Sequence, residues 1–356
     1  MHLHPGGRGN PTMNPILVDV WRGTLVESRH RGAIAVLDAD AAVALALGDI
    51  DASVFPRSAV KAMQALPLVE SGVAEKLGLT QAELALVCSS HAGEPAHVAG
   101  VTAMLAKVGR DAGALECGVH WPTSETAARA LSRLGAPPSA LHNNCSGKHA
   151  GFVCLACGSG RDPAGYVAAA HPVQREVKAA LESLTGATLG DADSGTDGCS
   201  IPTYAVPLRA LARGFARFGA GLGMAPARAA AAARLRAAVA AHPFMVAGTG
   251  RFDTQIMALL GARAFIKTGA EGVYCACLPE LGLGVALKCD DGATRAAEVM
   301  LISVLCAMLP LSPGECAALK PFRSPALRNW NGVETGCIAP HADLISHTVC
   351  ARLPHM

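Results

Sequence analysis

The sequence predicts an α+β fold, with an antiparallel sheet drawn from both chain ends and a mainly helical middle. Three observations lead there. Short apolar runs bounded by Gly, Pro and Asp, the mark of strands, occur near the start and again from Ala262 onward. Capped, helix-forming segments fill the stretch between them. No internal repeat or long low-complexity linker divides the chain.

Taken in order, residues 1–12 are rich in Gly and Pro, which predicts a loose leader. Residues 13–356 form one unit of one or two subdomains. Val18 to Val26 and Ala33 to Leu37 read as strands, Asp38-Ala39-Asp40 as a turn, and Ala41 to Leu47 as a hairpin partner. Pro56 is placed to open a helix over Arg57 to Ser71, because its fixed φ suits the first helical turn. Thr80 caps Gln81 to Cys88, with Glu83 completing a capping box. Glu94 to Val108, Ser124 to Leu134, Arg209 to Arg217 and the Ala-rich Ala225 to Ala241 read as helices. Ala262 to Lys267, Gly272 to Cys277 and Gly282 to Cys289 then read as a meander, followed by a buried helix over Arg295 to Leu309.

Composition narrows the function. Hydrophobic residues are 51% and charged residues 16%, which excludes intrinsic disorder. Aromatics are 4%, so Ala, Val and Leu must fill the core. Thirty Lys+Arg against 28 Asp+Glu leave no basic excess for nucleic acid. The most apolar stretch, Ala296 to Leu309, contains Glu298 and Ser303 and is shorter than the ~20 residues of a membrane span. Met1 to Gly7 lacks the apolar core of a signal peptide, so a soluble cytoplasmic protein is expected. Thirteen cysteines without such a signal argue against a disulfide scaffold. They are either small buried hydrophobes or, for a few, metal ligands and nucleophiles.

Five short polar segments could carry chemistry. Ser58-Ala59-Val60-Lys61 places an amine one helical turn from a hydroxyl. A serine needs a base to become a nucleophile, and a buried lysine with a lowered pKa can be that base. Alone, this spacing occurs on any helix with a polar face. Cys88-Ser89-Ser90-His91 offers a second hydroxyl and an imidazole, or simply a helix cap. Lys267-Thr268-Gly269 ends a strand. S-x-x-K, a serine turn and K-T-G, in that order, parallel the penicillin-binding proteins and class A β-lactamases, although Ser90-His91 stands where those have S-D-N. His142 to His149 and Asp197 to Thr203 are dense in donors, each with a thiol, Cys145 or Cys199. With Lys148, His149 or Asp197 these thiols could bind zinc, yet neither thiol sits in a C-x-x-C and there is no H-E-x-x-H, and buried thiols are the alternative.

Taken together, F-P-R-S-A-V-K-A-M-Q, C-S-S-H-A-G-E, H-N-N-C-S-G-K-H-A-G-F, D-G-C-S-I-P-T and K-T-G-A-E-G-V resemble the Rhizobium etli-type L-asparaginases. The resemblance runs from about Val18 to about Ile338, through H-P-F-M-V-A-G-T-G-R-F-D-T and N-W-N-G-V-E-T-G. It implies hydrolysis of L-asparagine to L-aspartate and ammonia on a fold similar to serine β-lactamases and glutaminases. It implies two Ser–Lys tandems, Ser58 with Lys61 and Ser90 with Lys267, Ser58 being the nucleophile. It implies a zinc ion (Zn2+) on Cys145, Lys148 and Cys199, with Asp197 and His149 close by, and a homodimer. A zinc-bound Lys148 would have to be deprotonated, because an ammonium has no free lone pair.

On this reading Lys61 takes the Ser58 proton, and backbone N–H groups at Ser58 and near Thr268-Gly269 form the oxyanion hole. Arg57, His91, Asn144, Asp197 and His149 are the candidate substrate-binding residues. The other eleven cysteines are expected to be packing residues. Two further readings stay open: a β-lactamase- or peptidase-like amide hydrolase, and a non-catalytic zinc- or amino-acid-binding protein.

Overall fold

The computed structural model describes residues 13–350. The leader expected over residues 1–12 lies outside the described residues. The main sheet has eight strands: β1 (Ile16–Arg22), β2 (Leu25–Asp38), β3 (Val43–Leu47), β4 (Phe265–Thr268), β5 (Val273–Leu278), β6 (Leu283–Cys289), β7 (Ala326–Arg328) and β8 (Glu334–Pro340). Their order is β7-β8-β1-β2-β6-β5-β4, with β3 beside β2, and every pairing is antiparallel. Both chain ends therefore meet in one sheet.

The single strand expected over Val18 to Val26 is instead two, turning at Gly23-Thr24, where Gly23 has φ +56°. A left-handed residue suits Gly, and alternation of side chains alone does not reveal a two-residue turn. Beyond it, β2 runs for 14 residues and is shared. Its first half pairs with β1, and its second half lies between β3 and β6. Gly32 sits at the changeover, where a Cβ would stand 2.4 Å from the Lys288 carbonyl oxygen.

Helices cover both faces. Leu208–Ala220 lies on β2, β5 and β6, and it comes close because a Cβ at Gly284 would stand 2.0 Å from the Ala212 carbonyl oxygen. Phe215 and Phe218 meet Phe265 there, a compact aromatic group in a core built mainly of aliphatics. Thr294–Met308 covers the other face. Covered on both sides, β5 is buried along its whole length. It reads as an unbroken apolar run for that reason. Each large apolar side chain so buried contributes about 1.5–3 kcal/mol. Pro172–Thr185 and Pro226–Ala241 pack on Leu208–Ala220, with Gln81–Val87, Pro95–Ala106 and Ser146–Gly158 beyond them, whereas Pro313–Arg323 and Ala342–Cys350 pack on Thr294–Met308 and Phe252–Leu260 lies against β4. No helix among the described residues is long and apolar enough to cross a membrane.

Candidate active site

Ser58 lies on a 3-10 turn, Arg57–Val60, that runs into the short helix Lys61–Gln64. The continuous helix expected over Arg57 to Ser71 is broken into these pieces and Leu66–Glu70. Arg57 has φ +50°, strained for a residue with a Cβ, so the turn presents Ser58 at a sharp corner. The K-T-G strand end packs on this corner. A Cβ at Gly269 would stand 2.5 Å from the Pro56 carbonyl oxygen, so only glycine permits the approach.

Lys61 and Lys267 are both fully buried and converge on one hydroxyl. Lys61 Nζ and Lys267 Nζ each donate to Ser90 Oγ at 2.9 Å. Lys61 also donates to the Ser89 carbonyl oxygen at 2.6 Å, and Lys267 to the Thr268 carbonyl oxygen at 2.9 Å. The Ser90–Lys267 contact is thus formed, whereas Lys61 turns to Ser90, and Ser58 Oγ has no hydrogen bond among the described residues. Burial, with the charge of Lys61 adding to it, pushes the Lys267 amine down to about 7, while Asp253 opposes the shift. Of the expected oxyanion donors, Thr268 N–H already bonds Asp253 Oδ2 at 3.2 Å, and Gly269 N–H bonds the Val273 carbonyl at 2.7 Å. Ser58 N–H remains, in a first turn that supplies it no acceptor.

The helix Ser146–Gly158 carries the second cluster. It seats against Gln81–Val87 at Gly147, where a Cβ would stand 2.2 Å from the Leu86 carbonyl oxygen. Cys145 stands just before it and Lys148 one turn in. Cys199 comes from a tight turn held by Ser200 N–H to Asp197 O at 2.8 Å, with Ser200 at φ +75°. Lys148 Nζ donates to Cys199 Sγ at 3.0 Å, and Cys199 Sγ–H lies 3.1 Å from Asp197 Oδ2. The ligand atoms of Cys145, Asp197 and Cys199 all lie within 4.8 Å of one another. The contact with Cys199 and the charges of Lys61 and Lys148 hold the Cys145 thiol well below its usual range despite burial. The Cys199 thiol is pushed up in return, by that bond and by burial. Burial works against the Lys148 ammonium, but Cys145, Cys199 and Asp197 outweigh it and raise its pKa. Two sulfurs and a carboxylate are ligand types that zinc accepts, whereas Lys148, held as an ammonium by these neighbours, would have to lose its proton to join them.

The other expected residues surround these two clusters. Arg57 pairs with Asp197. Asn144 lends only backbone: its N–H bonds His120 Nε2 at 2.9 Å and its carbonyl accepts His91 N–H at 3.2 Å, so its amide is left for a ligand. His91 is engaged at both nitrogens. Nδ1 accepts Gly93 N–H at 3.1 Å, so Nε2 carries the proton and donates to Ser146 Oγ at 2.8 Å. Burial, then His97 stacked 4.9 Å away, holds its pKa well below normal, so the ring is neutral and fastens the Ser90 turn to the Cys145 turn. Tyr166 OH accepts Glu116 N–H at 2.8 Å and shares a hydrogen bond of 2.6 Å with His149 Nδ1, while the buried His149 Nε2 has no partner among the described residues. A cleft of about 440 Å³ opens beside Arg57, lined also by Phe55, Thr196, Thr203, Glu271 and Lys288.

Residues 18–340 match the L-asparaginase II family. The chain belongs to that family. It is an L-asparagine amidohydrolase, and its substrate is a small molecule. No curated protein is a significant match.

Two features were not anticipated from sequence. Asp253 stands at the first turn of Phe252–Leu260 and touches the Lys267 strand; only its place in R-F-D-T marked it. Of the eleven remaining cysteines, Cys157 and Cys306 are half-buried and pack against the core, as expected, Cys337 is half-buried, and Cys316 is exposed and so is not a packing residue; the side chain of Cys350 lies outside the described residues. Cys289 lies with His30 and Asp291 in a small group, Asp291 accepting Cys289 Sγ–H at 3.0 Å and pairing with His30 Nδ1 at 2.6 Å, while the buried His30 Nε2 has no partner among the described residues.

Proposed function

We propose that this amidohydrolase works as a Rhizobium etli-type L-asparaginase, with Ser58 as nucleophile and Lys61, Ser90 and Lys267 moving its protons. The observation that carries this is the meeting of two buried lysines on Ser90 Oγ, close to a serine on a strained turn with no internal partner. Two ammonium groups on one hydroxyl repel, so the pair favours a single shared proton. Lys61, which opens the short helix directly after the Ser58 turn, takes the Ser58 proton as Oγ forms a bond to the side-chain carbonyl carbon of asparagine. Ser58 N–H faces the developing oxyanion. The C–N bond then breaks, and the departing nitrogen takes a proton delivered through Ser90 from the lysine pair. Water adds to the aspartyl ester, which releases aspartate and restores Ser58. Arg57, Asn144 and the Asp197 carboxylate hold the charged ends of the substrate beside the cleft.

Cys145, Lys148 and Cys199 would hold zinc, with Asp197 and His149 close by. Such an ion would supply a Lewis-acidic fixed charge that orients the Asp197 carboxylate, which in turn positions the amino end of the substrate. A homodimer, a cytoplasmic setting and kinship with the serine β-lactamase and glutaminase fold complete the proposal. Ammonia release from asparagine, glutamine and aspartyl peptides tests it, alongside nitrocefin cleavage. Asparagine turnover abolished by Ser58→Ala supports the reading; near-normal turnover in that variant overturns it.

A further inference from the structure

A second cleft, of about 540 Å³, is lined by none of the residues assigned above to catalysis, substrate or zinc. Its size is ordinary for a small-molecule site. The first turn of Phe252–Leu260, with Arg251 just before it, lines the cleft, and Thr294–Met308 contributes Glu298. Arg251 is exposed, and its guanidinium has no hydrogen bond or ion pair among the described residues. The start of the helix adds its own positive field there. Glu298 is half-buried and has no ion pair among the described residues. Asp253, also in the lining, is already engaged at both oxygens: Oδ1 accepts the Tyr274 hydroxyl at 2.9 Å, and Oδ2 accepts Thr268 N–H at 3.2 Å. Tyr274 therefore has no second O–H for Glu298. Burial, with Asp253 adding to it, pushes the Glu298 carboxyl up to about 7, and the charge of Arg251 offsets this only in part. Phe252 stands edge-on to both Tyr274 and Phe322, with ring centroids 5.6 and 5.9 Å away, so the cleft also has an aromatic side.

We propose that this cleft is a second, non-catalytic binding site, which takes a free α-amino acid with an apolar side chain. The α-carboxylate goes to Arg251, the α-ammonium to Glu298, and the side chain to Phe252 and Phe322. Each part answers a group that the chain leaves unmet. A simple anion would satisfy Arg251 but would share the cleft with the carboxylates of Asp253 and Glu298. A simple cation would satisfy Glu298 but would share it with Arg251. A zwitterion meets both, through charge-assisted hydrogen bonds, and its ammonium favours the charged form of Glu298 against burial. The aromatic side favours an apolar side chain over the amide of asparagine. The site does not depend on the Ser–Lys reading. It adjoins the catalytic residues only through Asp253, which holds the Thr268 N–H next to Lys267.

The test is calorimetric titration of the full chain with L-phenylalanine, which has no side-chain amide to hydrolyse. Saturable binding of one molecule per chain is expected. Arg251→Ala and Glu298→Gln should each weaken it about tenfold or more, the effect of losing one charge-assisted contact. Arg57→Ala, in the cleft beside Ser58, should leave it within about twofold. No saturable binding up to about 10 mM overturns the proposal. Binding that survives Arg251→Ala overturns it too, as does binding lost in Arg57→Ala, which would put the amino acid in the catalytic cleft. If the Arg251 or Glu298 variant does not fold, the ligand decides with the parent chain. Phenylpropionate lacks the ammonium and phenethylamine lacks the carboxylate, so each should bind at least about tenfold more weakly than phenylalanine. Equal binding of all three compounds overturns the proposal, because the ring alone would then be recognised.

Discussion

Replacing Gly269 by Ala tests the active-site assembly at its tightest point. The added Cβ would stand 2.5 Å from the Pro56 carbonyl oxygen and 3.1 Å from Val273 Cβ. Ordinary contact begins near 3.4 Å, so the strand and the corner must part by about 0.9 Å, that is 3.4 minus 2.5. The obstacle is backbone and cannot rotate away. Overpacking of this kind costs about 1–3 kcal/mol of stability. Function should suffer more, because the displacement falls between Ser58, just after Pro56, and Lys267, two residues before Gly269. A misplacement of about 1 Å among reacting groups costs on the order of 100-fold in rate. Gly269→Ala should therefore lower kcat/KM for asparagine about 100-fold, with a loss in denaturant stability of at most about 3 kcal/mol. Gly147→Ala is a useful comparison, since its Cβ would strike the Leu86 carbonyl oxygen at 2.2 Å, under the Cys145 cluster instead. If Gly269→Ala keeps kcat/KM within threefold of the parent, the argument that glycine sets the distance between nucleophile and lysine is wrong.

Ser90→Ala removes the acceptor shared by Lys61 and Lys267 and should lower kcat by about 100- to 10,000-fold with a small change in KM; an effect on KM alone would assign Ser90 to binding. With Lys267 at about 7, kcat/KM should rise with pH through that region as the lysine pair goes from two protons to one, and a flat profile from pH 6 to 8 would contradict it. The same shift bears on stability. Unfolded Lys267 stays protonated until about pH 10.4, so its burial opposes folding most below pH 7 and progressively less as pH rises toward 10.4, which pH-dependent denaturant melts can follow. Elemental analysis should find about one zinc per chain, lost when Cys145 and Cys199 are both changed to Ala; metal retained by the double variant places the ion elsewhere. Thr80→Ala, which breaks the capping box with Glu83, should cost about 1 kcal/mol with kcat unaltered.

Much of this architecture could be read from the chain because its signals are local. Thr80 with Glu83, the Ala-rich helices and the three strands around K-T-G all rest on spacing within a few residues. The helix Ser146–Gly158 was not legible, since it is buried almost all round and shows no polar face to set its period. The site divides in the same way. The tandem of Ser58 and Lys61 is visible as i and i+3, but that both lysines meet on Ser90 depends on the packing of three separate segments. Asp253 was opaque for a related reason. An acid in the first turn of a helix needs no more explanation than the helix dipole, and only the neighbouring strand gives it a second partner.

The pairing of β1 with β8 has a consequence for biogenesis. Val18 faces Pro340 in that ladder, and Asp38 faces Leu283 across β2 and β6. β1, β2 and β3 can pair early, yet the far edge of β2 waits for β6 and the outer edge of β1 waits for β8, near the end of the sheet. At about 5–20 residues per second, synthesis to residue 340 takes roughly 17 to 70 s. Throughout that time β1 keeps an open edge, a state prone to wrong pairing between nascent chains. Closure across more than three hundred residues is also slow by topology. Chaperone protection of the emerging hairpin, rather than the stability of the finished enzyme, is thus the step expected to limit how much active protein a cell obtains.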